Sequence, residues 1–184
     1  MEYKTALAKA WLELTNLSKD KRYTVRFLSD KYDVDLESGQ ILSLSCNIPV
    51  KEYAAILILH YLIKKLKGLP SLREEWVSFK EFVGGQGYYP AFKKRVIGTI
   101  RKKYGQKPEG LYGLAERFRA KKAQLADVSV VLDTFETIVP ILITFWRKDE
   151  EFGPEANVLF DKSITDIFCT EDIAVLSEIV AHSI

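Results

Sequence analysis

Cysteine and histidine are scarce in this chain of 184 residues. The two cysteines, Cys46 and Cys169, form no CxxC motif, and the two histidines, His60 and His182, stand alone in the sequence. Zinc and iron–sulfur sites need several such ligands at short spacing. We therefore expect no metal centre built from this chain alone, and neither a Ser-His-Asp nor a Cys-His arrangement can be assigned. The sequence indicates no particular cofactor.

Long apolar runs are missing as well. The longest, from Tyr53 to Ile63, is interrupted by His60 and is shorter than the about 20 residues that cross a bilayer. The opening residues, MEYKTALAKAWLEL, are charged and amphipathic, which is not typical of a signal peptide. These features predict a soluble, cytoplasmic protein that does not insert into a membrane.

The chain has no linker, internal repeat or low-complexity segment, so residues 1–184 are predicted to form a single domain. Several segments show helical or strand periodicity. Helices are predicted at 2–18, 50–67, 90–105, 108–123 and from the N-cap Thr170, and strands at about 22–45, 128–135 and 139–147, with a turn near Glu136 and Thr137. Strands and helices come in separate batches, which predicts an α+β fold. We expect a mixed or antiparallel sheet of about five strands packed by about five helices, with helix 50–67 at the centre.

Charge is distributed unevenly, although the net charge is only +2. Residues 91–122 contain eleven Lys or Arg and two Glu, whereas residues 149–184 contain nine acidic residues and one Lys. The two segments are either separate interaction faces or surfaces that attract each other. Nucleic acid is a disfavoured partner, because the cations are balanced within the chain and no RRM, KH or helix-turn-helix signature occurs.

The most unusual stretch runs from Trp76 to Gly105 and contains three closely spaced glycines before Pro90. Pro90 suits the first turn of a helix, and the glycines leave the preceding amides uncovered. Lys93, Lys94 and Arg95 would then lie in the first turns, beside free N–H groups. This arrangement predicts a site for an anionic small molecule or an acidic protein surface. Alternatively, the glycines form only a tight turn and the cations are solvated, since no P-loop or GxGxxG motif occurs.

Aromatic and polar side chains complete the predicted site. Tyr88 and Tyr89 are adjacent, so we expect at least one hydroxyl to reach a cleft, and Asn157 is predicted to supply an opposing donor and acceptor. The predicted ligand-binding residues are Trp76, Gly84, Gly85, Gly87, Tyr88, Tyr89, Lys93, Lys94, Arg95, Glu155, Asn157 and Asp161.

A cluster of carboxylates in residues 149–161 offers another chemistry. Oxygen ligands of this kind hold hard cations, but the spacing does not match an EF-hand, and a solvated turn is the favoured interpretation. Glu155 and Asp161 are the pair that acid–base catalysis would use.

Four segments, in this order, resemble a known family: EYAAILILHYL, WVSFKEFVGGQGYYPAFKKR, DEEFGPEANVLFD and TEDIAVL. The resemblance is to the prokaryotic family catalogued as domain of unknown function 3786, and it extends from about Arg22 to Val180. It implies no established activity. Some relatives carry a similar domain after an iron–sulfur module, whose cysteines this chain lacks, so any implied redox role is indirect.

Binding of an anionic small molecule or cofactor at loop 84–89 and the following basic helix is the function predicted first. One alternative is an accessory, assembly or protein-interaction module in anaerobic metal or cofactor metabolism. The other is an enzyme that uses Glu155 and Asp161. The sequence specifies no reaction, substrate or oligomeric state.

Overall fold

The structure is a computed structural model that describes residues 3–136 and 138–184. Thr137, in the predicted turn, and residue 2 of the predicted first helix lie outside this part of the chain. The helices are α1 Tyr3–Leu17, α2 Glu52–Lys67, α3 Gly85–Phe92, α4 Gly98–Tyr104, α5 Leu114–Phe118 and α6 Thr170–Ser183. The strands are β1 Arg22–Phe27, β2 Asp30–Asp35, β3 Gln40–Ser43, β4 Trp76–Ser78, β5 Lys121–Lys122, β6 Val128–Asp133, β7 Pro140–Trp146 and β8 Glu155–Asp161.

Helix α2 lies at the centre of the molecule, as predicted. Its residues from Ala54 to Ile63 are buried except for His60. Tyr61 stacks on Phe135, with 4.4 Å between ring centroids, and Phe135 stacks on Phe27. These contacts join α2 to both β-rich parts of the chain. Of the described helices, none combines the length and hydrophobicity that crossing a bilayer requires.

The strands form two sheets, and the predicted α+β class is confirmed. Strands β1, β2 and β3 make an antiparallel meander, while the larger sheet has the antiparallel order β4-β8-β7-β6-β5. Strand β4 is only three residues long and pairs with 159–161 of β8. No described strand therefore pairs with the 155–158 part of β8 on that side, which leaves it as an open sheet edge.

The predicted helix 108–123 is wrong. Residues Pro108–Gly113 form 3₁₀ turns, and α5 ends at Phe118 because Arg119 takes a left-handed backbone conformation with φ 53°. The chain then enters the short strand β5, which pairs with β6. Gly110 and Gly113 favour this interruption, since glycine is a poor residue for a helix interior.

The predicted start of the helix 90–105 is also wrong: this helix begins at Gly85, not at Pro90. Helix α3, a π-helical turn at Lys93–Ile97 and α4 follow one another without a break, and we call residues 85–104 the basic helix. In the π turn, the Gly98 N–H donates to the Lys93 carbonyl five residues earlier. Pro90 is exposed within the helix, where its missing N–H leaves the Gln86 carbonyl without its usual helical donor.

Strand β7 carries a buried hydroxyl. Thr144 is 1% exposed, and its Oγ1 has no hydrogen-bond partner among the described residues. Replacing it by valine removes the polar atom and keeps the shape. We expect Thr144→Val to raise the free energy of unfolding by about 1 kcal/mol in chemical denaturation.

Thr134 provides the matched control for this prediction. It is equally buried, but its Oγ1 donates to the Val139 carbonyl at 2.7 Å. Thr134→Val should therefore lower the free energy of unfolding by about 1 kcal/mol. Equal losses in both variants would mean that the Thr144 hydroxyl has a partner in solution.

Candidate functional site

The three glycines of the predicted loop have three different environments. Gly84 precedes the basic helix with a left-handed φ of 75°. Gly85 is buried, and a Cβ on it would lie 2.0 Å from the Phe79 carbonyl oxygen. Gly87 is exposed in the first turn, and nothing lies within 4 Å of its Cβ position. Backbone geometry thus explains why residues 84 and 85 are glycines: Gly84 takes a left-handed conformation, and Gly85 allows the helix to start directly against Phe79.

This early start separates the cations from the helix N-terminus. Lys93 lies eight residues after Gly85, which is about 12 Å along the axis of an α-helix. The free amides at the N-terminus and the three cations therefore do not form one cradle. The expectation that Lys93, Lys94 and Arg95 lie in the first turns was wrong, because Pro90 does not begin the helix.

Tyr88 and Tyr89 point into different clefts, since successive helical residues are about 100° apart. Tyr88 lines a cleft of about 420 Å³ between the basic helix and α6, which we call the Tyr88 cleft. Its lining residues are Phe79, Val83, Gly84, Tyr88, Arg95, Thr170, Glu171, Ala174, Val175 and Glu178.

The Tyr88 cleft is not an electropositive site. Arg95 Nη1 lies 3.0 Å from the Tyr88 hydroxyl and 3.2 Å from Glu178 Oε1. The hydrogen bond to Glu178 raises the pKa of the Arg95 guanidinium. Because Glu171 lines the same cleft, two carboxylates face one guanidinium that is already paired. An anion would meet net negative charge here.

Thr170 connects α6 to the glycine loop in this cleft. Its Oγ1 donates to the Val83 carbonyl at 2.8 Å. The residue that precedes the first turn of α6 is Cys169, so the prediction of Thr170 as the N-cap was one residue late.

Tyr89 lines the other cleft, which has a volume of about 240 Å³ and which we call the Tyr89 cleft. It lies between the basic helix and the open edge of β8. Its lining residues are Tyr89, Lys93, Ile97, Arg101, Trp146, Glu155, Ala156 and Asn157. Four predicted site residues meet here, namely Tyr89, Lys93, Glu155 and Asn157, and the basic helix faces the acidic segment at this place.

The π turn places the helical residues that line this cleft on one face of the basic helix. Tyr89, Lys93, Ile97 and Arg101 are spaced four residues apart. In a regular α-helix such a stripe would rotate by about 120° from Tyr89 to Arg101. The π turn takes up one additional residue and so removes about 100° of that rotation. Arg101 is thereby returned to the face that carries Tyr89 and Lys93.

A second depression continues from the Tyr89 cleft. It has a volume of about 370 Å³, and we call it the Gly105 cleft. Its lining residues are Gly98, Arg101, Lys102, Gly105, Gln106, Gly153 and Pro154. Arg101 lines both clefts, which makes them adjoining parts of one surface.

The cations of this surface are not neutralised by neighbouring carboxylates. Lys93, Arg101 and Lys102 form no ion pair with any residue that the structure describes. Glu155 is the one acidic residue lining the two clefts, and it also forms no ion pair within the described chain. Three cations and one carboxylate give this surface a positive balance.

Two aromatic rings line the Tyr89 cleft. Trp146 ends β7 and is 42% exposed, opposite Glu155 in the register of the sheet. The Tyr89 ring is half-buried, and the Lys80 Nζ lies 4.3 Å from its centroid. Asn157 contributes an amide whose Oδ1 accepts the Val158 N–H, which leaves its amino group available.

Five predicted residues line neither the Tyr88 nor the Tyr89 cleft: Trp76, Gly85, Gly87, Lys94 and Asp161. Trp76 lies on β4, directly opposite Asp161. The Asp161 carboxylate is buried and accepts backbone N–H groups from Arg73, Glu74 and Ser163 at 2.7–3.0 Å. It holds the 73–75 segment against the end of β8.

Glu155 and Asp161 are not brought together. They stand at the two ends of β8, about 20 Å apart at the rise of an extended strand. The structure therefore does not place them around one substrate. The acidic loop before β8 is organised by Asp149, whose Oδ1 accepts the N–H groups of Glu151 and Phe152. These hydrogen bonds lower the pKa of the Asp149 carboxyl, as in a capped turn.

Sequence reasoning missed Arg101, Lys102 and Trp146. The four-residue spacing of Tyr89, Lys93, Ile97 and Arg101 was a usable signal for Arg101. Trp146 had a weaker signal, because an aromatic residue at the end of an apolar run also fits ordinary core packing. Only the register of β7 against β8 places it beside Glu155 and near the basic helix.

Fold and site together define an α+β domain with an open cationic surface between a helix and the edge of an antiparallel sheet. A family model described as Domain of unknown function (DUF3786) matches residues 8–183, and the chain belongs to this family. The resemblance noted in the sequence is thereby confirmed. No curated protein and no solved structure matches the chain.

Proposed function

We propose that this domain binds a small anionic molecule in the Tyr89 cleft. The observation that carries the proposal is the pair of cations Lys93 and Arg101, which lie on one stripe of the basic helix and line a cleft without an ion-pair partner in the described chain. Cations left unpaired in a concave site are available to a phosphate or carboxylate.

Each side of the cleft has a distinct part in this proposal. Arg101 offers a planar fork of donors that fits an oxyanion, and Lys93 adds a mobile point charge. Asn157, on the opposite side, can donate to or accept from an uncharged polar group. Glu155 follows Pro154, which lies against Gly105, and it disfavours an anion at that end, so the anionic group is expected on the Lys93 side of Arg101.

Charge reversal tests this proposal. Inorganic pyrophosphate is the probe, titrated calorimetrically into the purified chain at low ionic strength. Lys93→Glu and Arg101→Glu should each weaken binding at least about tenfold, because each replaces an attraction worth 1 kcal/mol or more by a repulsion. High salt should weaken the wild-type interaction in the same direction.

Lys9→Glu is the matched control, since Lys9 is exposed on α1 and the change in net charge is the same. It should leave the affinity for pyrophosphate within about twofold of the wild type. If all three variants lost affinity equally, the interaction would depend on net charge and the proposed cleft would be wrong. No binding by the wild type would reject the proposal directly.

A further inference from the structure

We infer that two copies of this chain pair through an antiparallel contact of helix α6, an interaction that goes beyond the proposed function and uses a different surface. Two clefts lie end to end along α6 on this surface. One is the Tyr88 cleft, and the other, of about 340 Å³, we call the His182 cleft. The His182 cleft is lined by Tyr53, Val175, Glu178, Ile179, His182 and Ser183. Val175 and Glu178 line both clefts, so the two form one groove along the helix.

An exposed apolar side chain stands at each end of this groove. Val83 is 94% exposed at the N-terminal end of α6, where the Thr170 hydroxyl donates to its carbonyl at 2.8 Å and holds its backbone in place. Tyr53 is 39% exposed at the C-terminal end. Between them, Val175 and Ile179 are partly exposed on α6. A contiguous apolar line of this kind marks an interaction surface.

The exposed stripe of α6 begins at Glu171 and ends at His182, so its middle lies between residues 176 and 177. A twofold axis through this point places the level of residue 170 opposite the level of residue 183 in an antiparallel copy. Val83 then faces the partner's His182 cleft, and Tyr53 faces the partner's Tyr88 cleft. Each copy thus sets an apolar side chain against a cleft of the other at both ends. This reciprocity is what an isologous dimer interface requires.

The charges of the groove are also self-complementary in this arrangement. Glu171 lies opposite the partner's His182, and neither residue forms an ion pair within the described chain. His182 Nδ1 lies 2.7 Å from the Glu178 carbonyl oxygen. The protonated imidazole donates through both nitrogens, so its Nε2 can pair with the partner's Glu171. Glu178 lies near the axis, but its pairing with Arg95 at 3.2 Å limits repulsion between the two copies of this carboxylate.

Sedimentation equilibrium of the full chain over a range of concentrations tests the inference. We expect a monomer–dimer equilibrium with a Kd below about 100 µM. Val83→Asp should weaken dimerisation at least about tenfold, because it puts a charge against an apolar cleft twice in each dimer. Leu12→Asp is the matched control, since Leu12 is 64% exposed on α1, and it should leave the Kd within about twofold of the wild type.

A charge exchange tests the pairing of the two ends of α6. His182→Glu should weaken dimerisation at least about tenfold, because it sets two carboxylates opposite each other at both ends. The double variant Glu171→Lys with His182→Glu should restore the Kd to within about threefold of the wild type. Residues 171 and 182 are eleven positions apart, about 16 Å along the helix axis. The restoration therefore has to occur between two copies and not within one.

A chain that remains monomeric at every concentration overturns the inference. So does a dimer that neither Val83→Asp nor His182→Glu weakens, because it would use another face, or one that Leu12→Asp weakens equally. Circular dichroism checks the fold of each variant, and Val83→Ser decides the case if Val83→Asp does not fold. Pyrophosphate binding depends on residues outside this groove. Failure of dimerisation and failure of the proposed anion binding are thus separate results.

Discussion

Replacing Gly85 by alanine is expected to lower the free energy of unfolding by about 3 kcal/mol, as overpacking of a tight contact does. The added Cβ would lie 2.0 Å from the Phe79 carbonyl oxygen and 3.2 Å from the carbonyl carbon. These are backbone atoms, so no side-chain rotation can relieve the contact. The start of the basic helix would have to move away from the 3₁₀ turn at Phe79–Glu81. Urea unfolding followed by circular dichroism measures the loss.

Gly87→Ala is the control for this prediction, since it adds the same methyl group two residues later. The position is helical, exposed and open, with nothing within 4 Å of the Cβ site. Alanine should therefore raise the free energy of unfolding by about 0.5–1 kcal/mol through helix propensity alone. Similar effects at both positions would contradict the close approach of Gly85 to Phe79.

Asp161→Asn is expected to lower the free energy of unfolding by about 3 kcal/mol, the scale of breaking a buried charged network. Asp161 is 2% exposed, and its two carboxylate oxygens accept three backbone N–H groups. Asparagine has one oxygen to accept these donors, and its amino group would meet at least one further N–H. The 73–75 segment and the end of β8 would lose their connection.

The effect of Asp161 should depend on pH. Burial raises the pKa of its carboxyl, but hydrogen bonds from Ser163, Arg73 and Glu74 outweigh burial and hold the pKa below its ordinary value. A carboxyl whose pKa is lowered by folding contributes stability above its unfolded-state pKa and loses it as pH falls through the folded-state pKa. The difference in free energy of unfolding between wild type and Asp161→Asn should therefore be full at neutral pH and shrink in the acid range below about pH 4.

Asp166→Asn is the matched comparison. Asp166 pairs with the Arg73 side chain at 2.7 Å, but about a third of its side chain is exposed. A solvated pair of this kind contributes about 0–1 kcal/mol. Denaturation curves of the two variants at several pH values should differ clearly at neutral pH. A loss for Asp166→Asn as large as that for Asp161→Asn would show that Arg73, and not the carboxylate network, holds the segment.

Strong periodicity in the sequence determined the main architecture. The apolar faces of 2–18 and 50–67 and the alternation from Arg22 onward predicted α1, α2 and the meander, because local repeats of 3.6 and 2 residues reflect which side is buried. The apolar runs 128–135 and 139–147 likewise predicted β6 and β7. Strand β4 was missed because three residues are too few to show a period.

Tertiary contacts decided the details around the glycines. The sequence pointed to Pro90 as a helix start, which is a sound local preference. The observed start at Gly85 depends on contact with Phe79, a residue whose distance from Gly85 no local pattern reveals. Interior proline is tolerated at position 90 because the carbonyl that it leaves unpaired is on the exposed side of the helix.

The sequence predicted only some of the residues that form the candidate site. Residue types suggested an anion, and the sequence alone placed Tyr88, Tyr89, Lys93 and Asn157 in one site. The structure divides them between two clefts, because adjacent helical residues diverge and because α6 and β8 pack on different sides of the basic helix. Arg101 and Trp146 join the Tyr89 cleft through a π turn and a strand register. The π turn and the strand register both depend on long-range packing, which local sequence preferences do not encode.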